Sequence, residues 1–256
     1  MKERADEKII RKYLAPFVGD IKIETVDIID STNDEMKRRA ERGEGELSLL
    51  VAEEQTKGRG TKGRSFFSPD GTGIYMSLLL RPAYTPEECT LLTTMAAVSS
   101  ARAIERVVGV KPQIKWVNDI YLDGKKVGGI LTQAHLSKDC RDVLWAVVGI
   151  GINISEPEGG FPDELRSIAA SLGKNDGSIK NRLIGEIVNE FVLYYRKLTE
   201  KEFIAEYSQR LLGLGEEITV SAGGEEYSGT VIGIDGMCRL KIRLPDGEER
   251  VLGSAF

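Results

Sequence analysis

The chain has 256 residues, 41% of them hydrophobic and 29% charged, which describes an ordinary globular protein with room for one well-buried core and a small appendage. Its formal net charge of −5 and its pI of about 5.3 argue against a surface that binds nucleic acid generally. One histidine and three widely spaced cysteines argue against a histidine-based metal centre, a zinc site and a disulfide framework. No apolar stretch follows the charged N-terminus, and no segment is suited to cross a bilayer, so we expect a cytoplasmic protein.

The first part of the chain predicts a helical N-terminal extension over residues 1–22, followed by strands that alternate with helices. We expect one helix within residues 1–14 of this extension. Alternating apolar and polar residues predict a strand at Lys22–Ile29, and apolar runs predict strands at Leu47–Ala52 and Ile74–Leu80. Thr32 and Glu35 have the spacing of a capping box, which predicts a short helix that stops at Gly43.

A long helix and several short strands are predicted for the middle of the chain. Thr85, Pro86 and Glu88 combine an N-cap, a first-turn proline and a capping-box glutamate. We therefore expect a helix from this point to about Gly109. Short strands should follow at Gln113–Trp116, Ile120–Leu122, Lys126–Ala134 and Val143–Ile150. Asp123-Gly124 is a hairpin signal between two of them.

Two further helices are predicted beyond an irregular loop at Gly159–Pro162. Ser178 and Thr199 each precede a helical pattern. The expected helices run over Ile179–Leu198 and Glu200–Leu212.

The last segment, Gly213 to Phe256, predicts four or five short strands and no helix. Turn signals recur at Gly223-Gly224, Asp235-Gly236 and Asp246-Gly247. Alternation with basic residues predicts a buried face made of Cys238, Leu240, Ile242 and Leu244. We expect a small SH3-like β-barrel whose basic face is simply solvated, and an α+β class for the whole chain.

A glycine-rich basic loop at Gly58–Arg64 is the most informative segment. Its three glycines let the backbone approach a ligand, and its three cations suit a phosphate or a mixed anhydride. The spacing formally matches a dinucleotide fingerprint, but the helix-breaking run Ser65–Gly71 follows where that fold requires a helix. The alternative is a mobile surface loop with incidental charge.

Three other segments carry polar residues at strand ends. Lys115–Asp119 is followed by Lys126–Leu131, where paired glycines leave room for a ligand beside a lysine. Gly149–Ile154 ends an apolar strand with two glycines and an asparagine. Taken singly, a solvated hairpin and a strand bulge explain these segments equally well, and helix capping could explain Thr32 in Ser31–Asn33.

Taken together and in this order, the segments resemble those of the biotin–protein ligase family. The matching motifs follow one another closely over Asp30–Leu172. The family's glycine-rich loop is similar to Gly58–Arg64, its Lys-Trp-Pro-Asn-Asp motif to Lys115–Asp119, its Lys-x-x-Gly-Ile-Leu strand to Lys126–Leu131 and its Gly-x-Gly-x-Asn motif to Gly149–Asn153. The resemblance implies a class II tRNA synthetase-like catalytic domain over residues 23–212, with a mixed sheet and helices. It also implies an SH3-like β-barrel over residues 213–256.

The resemblance further implies roles for individual residues. A biotin pocket would be formed by Ser31, Thr32, Asn33, Gln55, Arg59, Gly60, Thr61 and Lys126. ATP and the adenylate would contact Gly58, Arg64, Lys115, Trp116, Asn118 and Asn153, with Mg²⁺ assisting but with no metal site built from protein alone. Lys126, Arg59 and Asp119 would be catalytic: the two cations hold the carboxylate and phosphate, and Asp119 accepts a hydrogen bond from, or deprotonates, the incoming lysine.

The implied reaction is the ATP-dependent formation of biotinyl-5′-AMP and transfer of biotin to a lysine of a biotin carboxyl carrier domain. Alternatives are a lipoate or octanoate ligase of the same fold, a biotin-responsive DNA-binding regulator and an inactive partner-binding module. About 22 residues precede Ile23, too few for the helix-turn-helix domain of the regulators, so DNA binding is disfavoured. The retained basic residues disfavour the inactive module. A homodimer would be in keeping with the family, but no residue pattern here supports one.

Two positions depart from the family pattern. Val117 stands where the motif has proline, which changes backbone stiffness but removes no functional group. Thr61 stands where many members have an arginine that helps to retain the adenylate. We therefore hypothesise that this chain releases biotinyl-5′-AMP more readily than members with the arginine.

Overall fold

A seven-stranded mixed sheet lies at the centre of the computed structural model, which describes residues 3–173, 179–222 and 224–253. Its strands are β1 (Lys22–Ile29), β2 (Ser48–Gln55), β3 (Gly73–Leu80), β4 (Gln113–Lys115), β5 (Asp119–Leu122), β6 (Lys125–Leu136) and β7 (Val143–Asn153). They lie in the order β1-β2-β3-β7-β6-β5-β4. β1 and β2 are parallel, and the other neighbours are antiparallel. The hairpin predicted at Asp123-Gly124 is confirmed, since both residues have positive φ and join β5 to β6.

Helices cover both faces of this sheet. They are α1 (Glu7–Arg11), α2 (Thr32–Glu41), α3 (Pro86–Cys89), α4 (Leu91–Val108), α5 (Asp163–Arg166), α6 (Lys180–Tyr195) and α7 (Phe203–Arg210). α4 is apolar or small on most sides up to Ile104, and this part is largely buried between the sheet and α6. Its last turns carry Arg102 and Arg106, which pair with glutamates of α6. α2 lies on the opposite face, where Met36 and Ala40 pack against Leu50, Leu79 and Trp145. No described helix has both the length and the apolar content needed to cross a membrane.

The last part of the chain forms a second, antiparallel sheet. Its strands are β8 (Glu217–Ala222), β9 (Glu225–Ile234), β10 (Leu240–Arg243) and β11 (Glu249–Leu252), in the order β11-β10-β9-β8. Cys238, Leu240 and Ile242 are buried, and Leu244 is partly buried, as their alternation predicts. The α+β class is confirmed, whereas the synthetase-like and SH3-like descriptions and the domain boundaries stay predictions.

The N-terminal extension contains less helix than expected. α1 covers only five residues, and β1 already begins at Lys22. Beyond α1, the Asn189 amide of α6 donates to Tyr13 O and accepts from Ala15 N, at 2.8 Å each. These backbone groups are therefore paired with a side chain rather than within a helix, and Pro16 follows in a short 3₁₀ turn.

Three other helix predictions need correction. The N-cap of α2 is Ser31, whose hydroxyl accepts from Asp34 N, because the Thr32 hydroxyl is turned to Gln55. The capping box at Thr85 is confirmed, but the helix it opens ends at Cys89 before α4 starts. Thr199 lies within a 3₁₀ turn closed by Lys201 in the left-handed region, so α7 starts only at Phe203. Ser178 and Gly223 lie outside the described residues.

Candidate functional site

A cavity of about 390 Å³ opens where the start of α2, the glycine-rich loop and the middle of β6 and β7 meet. This volume is within the range of small-molecule sites. Most of the residues assigned to the site from sequence line it: Ser31, Thr32, Asn33, Gln55, Arg59, Gly60, Thr61, Arg64, Lys115, Asn118, Asp119, Lys126 and Asn153. Segments that are far apart in sequence therefore supply one continuous surface.

One end of the cavity is polar and buried. Gln55 Oε1 accepts from the backbone N–H of Thr32 at 2.9 Å and from its hydroxyl at 3.1 Å. Gln55 Nε2 donates to Ser68 Oγ at 3.0 Å. Behind this layer, Ser77 Oγ lies 2.8 Å from Thr32 Oγ1 and 2.6 Å from Asn33 Oδ1. The network fixes several hydrogen-bonding groups in place before any ligand arrives, which lowers the cost of binding a polar group there.

Two glycines of β7 make room for side chains from other elements. A methyl group at Gly149 would overlap the side-chain amide of Asn33, which donates to Leu131 O at 3.1 Å. A methyl group at Gly151 would overlap the ring of Phe66. The glycines of this motif are thus required by contacts that build the cavity.

Lys126 and Asp119 form an ion pair in the wall of the cavity. Lys126 Nζ lies 2.6 Å from Asp119 Oδ1, and both side chains are partly buried. Gly129 leaves space beside the lysine, since a methyl group there would come within 3.3 Å of Nζ. The backbone of Lys126 donates to Ile168 O and accepts from Ala170 N, at 2.8 Å each. A segment after β7 therefore holds this lysine from outside the sheet.

The remaining cations lie around the opening. The glycine-rich loop closes on itself through hydrogen bonds from Gly60 N to Arg64 O and from Phe66 N to Gly58 O. Arg59 reaches α2, where its Nε–H donates to Asp34 Oδ2 at 2.8 Å. Lys115 Nζ lies 5.6 Å from the ring centroid of Tyr121. The cavity thus joins a polar buried end to a cationic rim.

Two residues assigned to nucleotide binding do not line the cavity. A methyl group at Gly58 would overlap Phe66 O, so this glycine allows the loop to close rather than a ligand to approach. The Trp116 indole N–H donates to Cys238 O at 2.9 Å, which turns the ring towards the second sheet. The next carbonyl, Val117 O, accepts from the buried Tyr207 hydroxyl at 3.2 Å.

Comparison with known proteins identifies the family. Residues 26–153 match the model of the biotin/lipoate A/B protein ligase family, and residues 213–256 match the biotin protein ligase C-terminal domain. The bifunctional ligase/repressor BirA of Bacillus spizizenii is 34% identical over 88% of this chain and 70% of its own length. The chain belongs to the biotin protein ligase family.

Other relatives and solved structures of the family agree. The biotin--[acetyl-CoA-carboxylase] ligase of Paracoccus denitrificans is 30% identical over 86% of this chain and 93% of its own length. The biotin protein ligase of Aquifex aeolicus, solved in complex with biotin and ATP, superposes with a TM-score of 0.75 at 28% identity, over 90% of this chain and 95% of that one. The chain is thus a ligase by family, and its cavity is the candidate active site.

Sequence reasoning missed the apolar part of this ligase cavity. Phe66, Tyr121 and a cluster after β7 line it: Leu165, Ile168 and Ala169. Phe161 also lines it and lies in the predicted irregular loop Gly159–Pro162. Ile168 is 54% exposed although it borders the cavity. Only its apolar character in a polar loop could have marked it. Ser77 had a clearer signal, since it is the one small polar residue in a strand of apolar and aromatic residues.

Proposed function

We propose that this ligase adenylates biotin with ATP and transfers the biotinyl group to a lysine of a biotin carboxyl carrier domain. The single observation that carries the proposal is the cavity itself, in which a buried hydrogen-bonding end continues into a cationic wall. Biotin has the same polarity, with a polar ureido ring at one end and a carboxylate at the other. The relatives named as biotin--[acetyl-CoA-carboxylase] ligases support the choice.

The polar end favours biotin over lipoate. Ser31, Thr32, Asn33 and Gln55 offer fixed donors and acceptors there, and their own backbone and side-chain partners hold them. Within the described residues, these contacts leave over the Ser31 hydroxyl hydrogen and the second Nε2–H of Gln55. A ureido ring can accept from such donors, whereas an apolar dithiolane or alkyl end would leave them desolvated and unpaired. Unpaired buried polar groups disfavour a ligand strongly.

In the first proposed step, the biotin carboxylate attacks the α-phosphorus of ATP and pyrophosphate leaves. No side chain of the enzyme forms a bond, so catalysis rests on holding the two anions together and stabilising the charge of the transition state. Lys126 and Arg59 would contact the carboxylate and the α-phosphate. Lys115, Arg64 and Asn118 at the rim would contact the rest of the nucleotide, together with Asn153.

In the second step, a carrier lysine attacks the carbonyl carbon of the mixed anhydride, and AMP leaves. The attacking amine must lose a proton, and Asp119 would accept it or hold the amine in place by a hydrogen bond. The 2.6 Å contact with Lys126 keeps Asp119 at the reacting end of the cavity. The same pair would thus serve both steps.

Mg²⁺ would enter as the complex with ATP. Within the described residues, no three or more His, Cys, Asp or Glu side chains gather as a metal site, and the carboxylate of the cavity wall is paired with Lys126. Because Mg²⁺ often keeps its waters and binds mainly to substrate phosphates, this side-chain set fits such a role.

Water must be kept from the mixed anhydride. The segment from Phe161 to Ala169 borders the cavity with apolar side chains and is hydrogen-bonded to the backbone of Lys126. We propose that this segment and the glycine-rich loop cover the bound adenylate.

The test of the proposal is acid-dependent exchange of pyrophosphate into ATP, followed by transfer to a purified carrier domain. We expect biotin to support exchange and transfer, and lipoate and octanoate to support neither. Exchange driven by lipoate but not by biotin would instead identify a lipoate ligase.

A further inference from the structure

Arg59 connects the glycine-rich loop to α2 by an ion pair. Its Nε–H donates to Asp34 Oδ2 at 2.8 Å, and Asp34 is the third residue of α2. Lys62 and Arg64 of the same loop form no ion pair with any residue that the structure describes. Among the cations of the loop, Arg59 is therefore the one whose side chain is held from another element.

The contact uses only part of the guanidinium. Asp34 takes the Nε–H, whereas the terminal nitrogens Nη1 and Nη2 have no hydrogen-bond partner within residues 3–173, 179–222 and 224–253. A guanidinium is a rigid planar fork, so fixing Nε also fixes the plane of the terminal N–H groups. Since Arg59 lines the cavity, these groups are available to an anion bound there.

Asp34 is itself held in place and in its charged form. Its side chain is largely buried, and its other oxygen lies 2.6 Å from Lys37 Nζ. Burial acts to raise the pKa of Asp34, but hydrogen bonds from Lys37 and Arg59 outweigh burial and hold that pKa below its ordinary value. The first turn of a helix also favours a negative charge. A fixed carboxylate at this position is suited to orient a flexible arginine.

We infer that Asp34 is a positioning residue, which holds Arg59 by Nε so that its terminal nitrogens remain available to the anionic head of the bound acid. The inference rests on the proposed function, because it takes the acid to be the ligand of this cavity. Asp34 acts through Arg59, and its removal should weaken the recognition of the ligand's charge rather than of its ring.

The experiment compares biotin with biotinol, in which an alcohol replaces the carboxylate. Calorimetric dissociation constants are measured for the wild type, Asp34→Ala, Arg59→Ala and the double variant. We expect Asp34→Ala to weaken biotin about tenfold and to change biotinol less than twofold, since a hydrogen bond to a charged group is lost for one ligand only. The double variant should bind biotin no more weakly than Arg59→Ala, because contacts that act in series are not additive.

Two matched variants separate positioning from damage to α2. Asp34→Asn keeps an oxygen that accepts from Nε and should recover most of the biotin affinity. Lys37→Ala removes the other partner of the same carboxylate but leaves its contact with Arg59, so it should weaken biotin less than Asp34→Ala does. Equal weakening of both ligands by Asp34→Ala, or additive effects of the two single variants, would overturn the inference.

A measurement without ligand tests the contact between Arg59 and Asp34 independently of the proposed function. The Arg59 Nε–H resonance should be protected from exchange in the wild type and lost in Asp34→Ala. A wild type that binds neither biotin nor biotinol refutes the proposed function and, with it, the positioning role. A wild type that binds biotin while Arg59 Nε–H is unprotected refutes the positioning role alone.

Discussion

At the scale of single residues, the wall of the cavity depends on Lys126. Its backbone is fixed by Ile168 and Ala170, so shortening the side chain should leave the surrounding structure unchanged. Asp119 would then lack its cationic partner, and the reacting anions would lack a positive charge. Shortening this side chain should therefore lower the rate of adenylation without lowering the free energy of unfolding.

We expect Lys126→Ala to lower biotin-dependent pyrophosphate exchange by about 10²–10³-fold, the usual cost of removing one well-placed group that stabilises transition-state charge. Lys125→Ala is the matched control, because Lys125 is the exposed neighbour on the same strand. Exchange within tenfold of the wild type in Lys126→Ala would contradict the role.

Gly149 carries a second prediction at this scale. A methyl group there would overlap the Asn33 amide, which must then leave its contacts with Ser77 and Leu131. We expect Gly149→Ala to weaken biotin binding at least tenfold, measured by calorimetry. Gly45→Ala is the control, since a methyl group at Gly45 meets no atom within 4 Å. Unchanged affinity in Gly149→Ala would show that Asn33 does not contact the ring.

Substitutions at Thr61 test whether the glycine-rich loop retains the adenylate. It lines the cavity, and its hydroxyl accepts from Arg64 Nη2 at 3.0 Å. We expect Thr61→Arg to slow the release of radiolabelled biotinyl-5′-AMP several-fold by adding a cation beside the phosphate. Thr61→Val removes the hydroxyl without adding charge and should not slow release. Equal release rates in the wild type and Thr61→Arg would end this hypothesis.

At the scale of elements, the N-terminal segment and α6 are joined by buried polar contacts. Lys180 Nζ lies 2.6 Å from Glu53 of β2, and these side chains are only 3% and 4% exposed. Glu53 also accepts from Ala5 N at 2.6 Å, and the Asn181 amide donates to Arg4 O. The N-terminal segment, β2 and α6 are thus joined by one buried ion pair and the hydrogen bonds around it.

Lys180→Met should lower the free energy of unfolding by about 3–5 kcal/mol, because it leaves the Glu53 charge buried without a partner. Urea unfolding checks this value. Lys180→Met combined with Glu53→Gln should lose less than the single variant, since no unpaired charge remains. A single variant as stable as the double would contradict this account.

Local patterns predicted most strands because burial follows the alternation or continuity of apolar residues. β3, which is apolar and buried along its whole length, is an example. Local patterns failed where a distant residue decides the structure. Asn189 pairs with the backbone of Tyr13 and Ala15, more than 170 positions away, and shortens the expected N-terminal helix.

The same limit applied to the site. Motif spacing indicated which residues share the cavity, but Trp116 within a motif turned instead to Cys238, 122 positions away. The apolar cluster after β7 had no periodic pattern to mark it. The individual roles of the residues that line the cavity stay predictions.

At the scale of the whole molecule, the relatives named as ligase/repressors make DNA binding the question to test. The net charge of −5 gives no general attraction to a polyanion. We expect no gel shift with duplex DNA at low salt, with or without biotin and ATP. A shift that persists at physiological salt and depends on sequence would contradict this prediction. A homodimer likewise stays a prediction.

The contact between Trp116 and Cys238 gives the molecule an optical probe at the junction of its two sheets. Of the two tryptophans in the chain, Trp145 lies beneath α2, stacked on His135, and Trp116 lies within the motif that contains Lys115 and Asn118. With Trp145 replaced by phenylalanine, all indole emission would originate at this junction. Changes in the wavelength and intensity of this emission during a titration with nucleotide would then show, without any attached dye, whether binding in the cavity alters the contact with the C-terminal sheet.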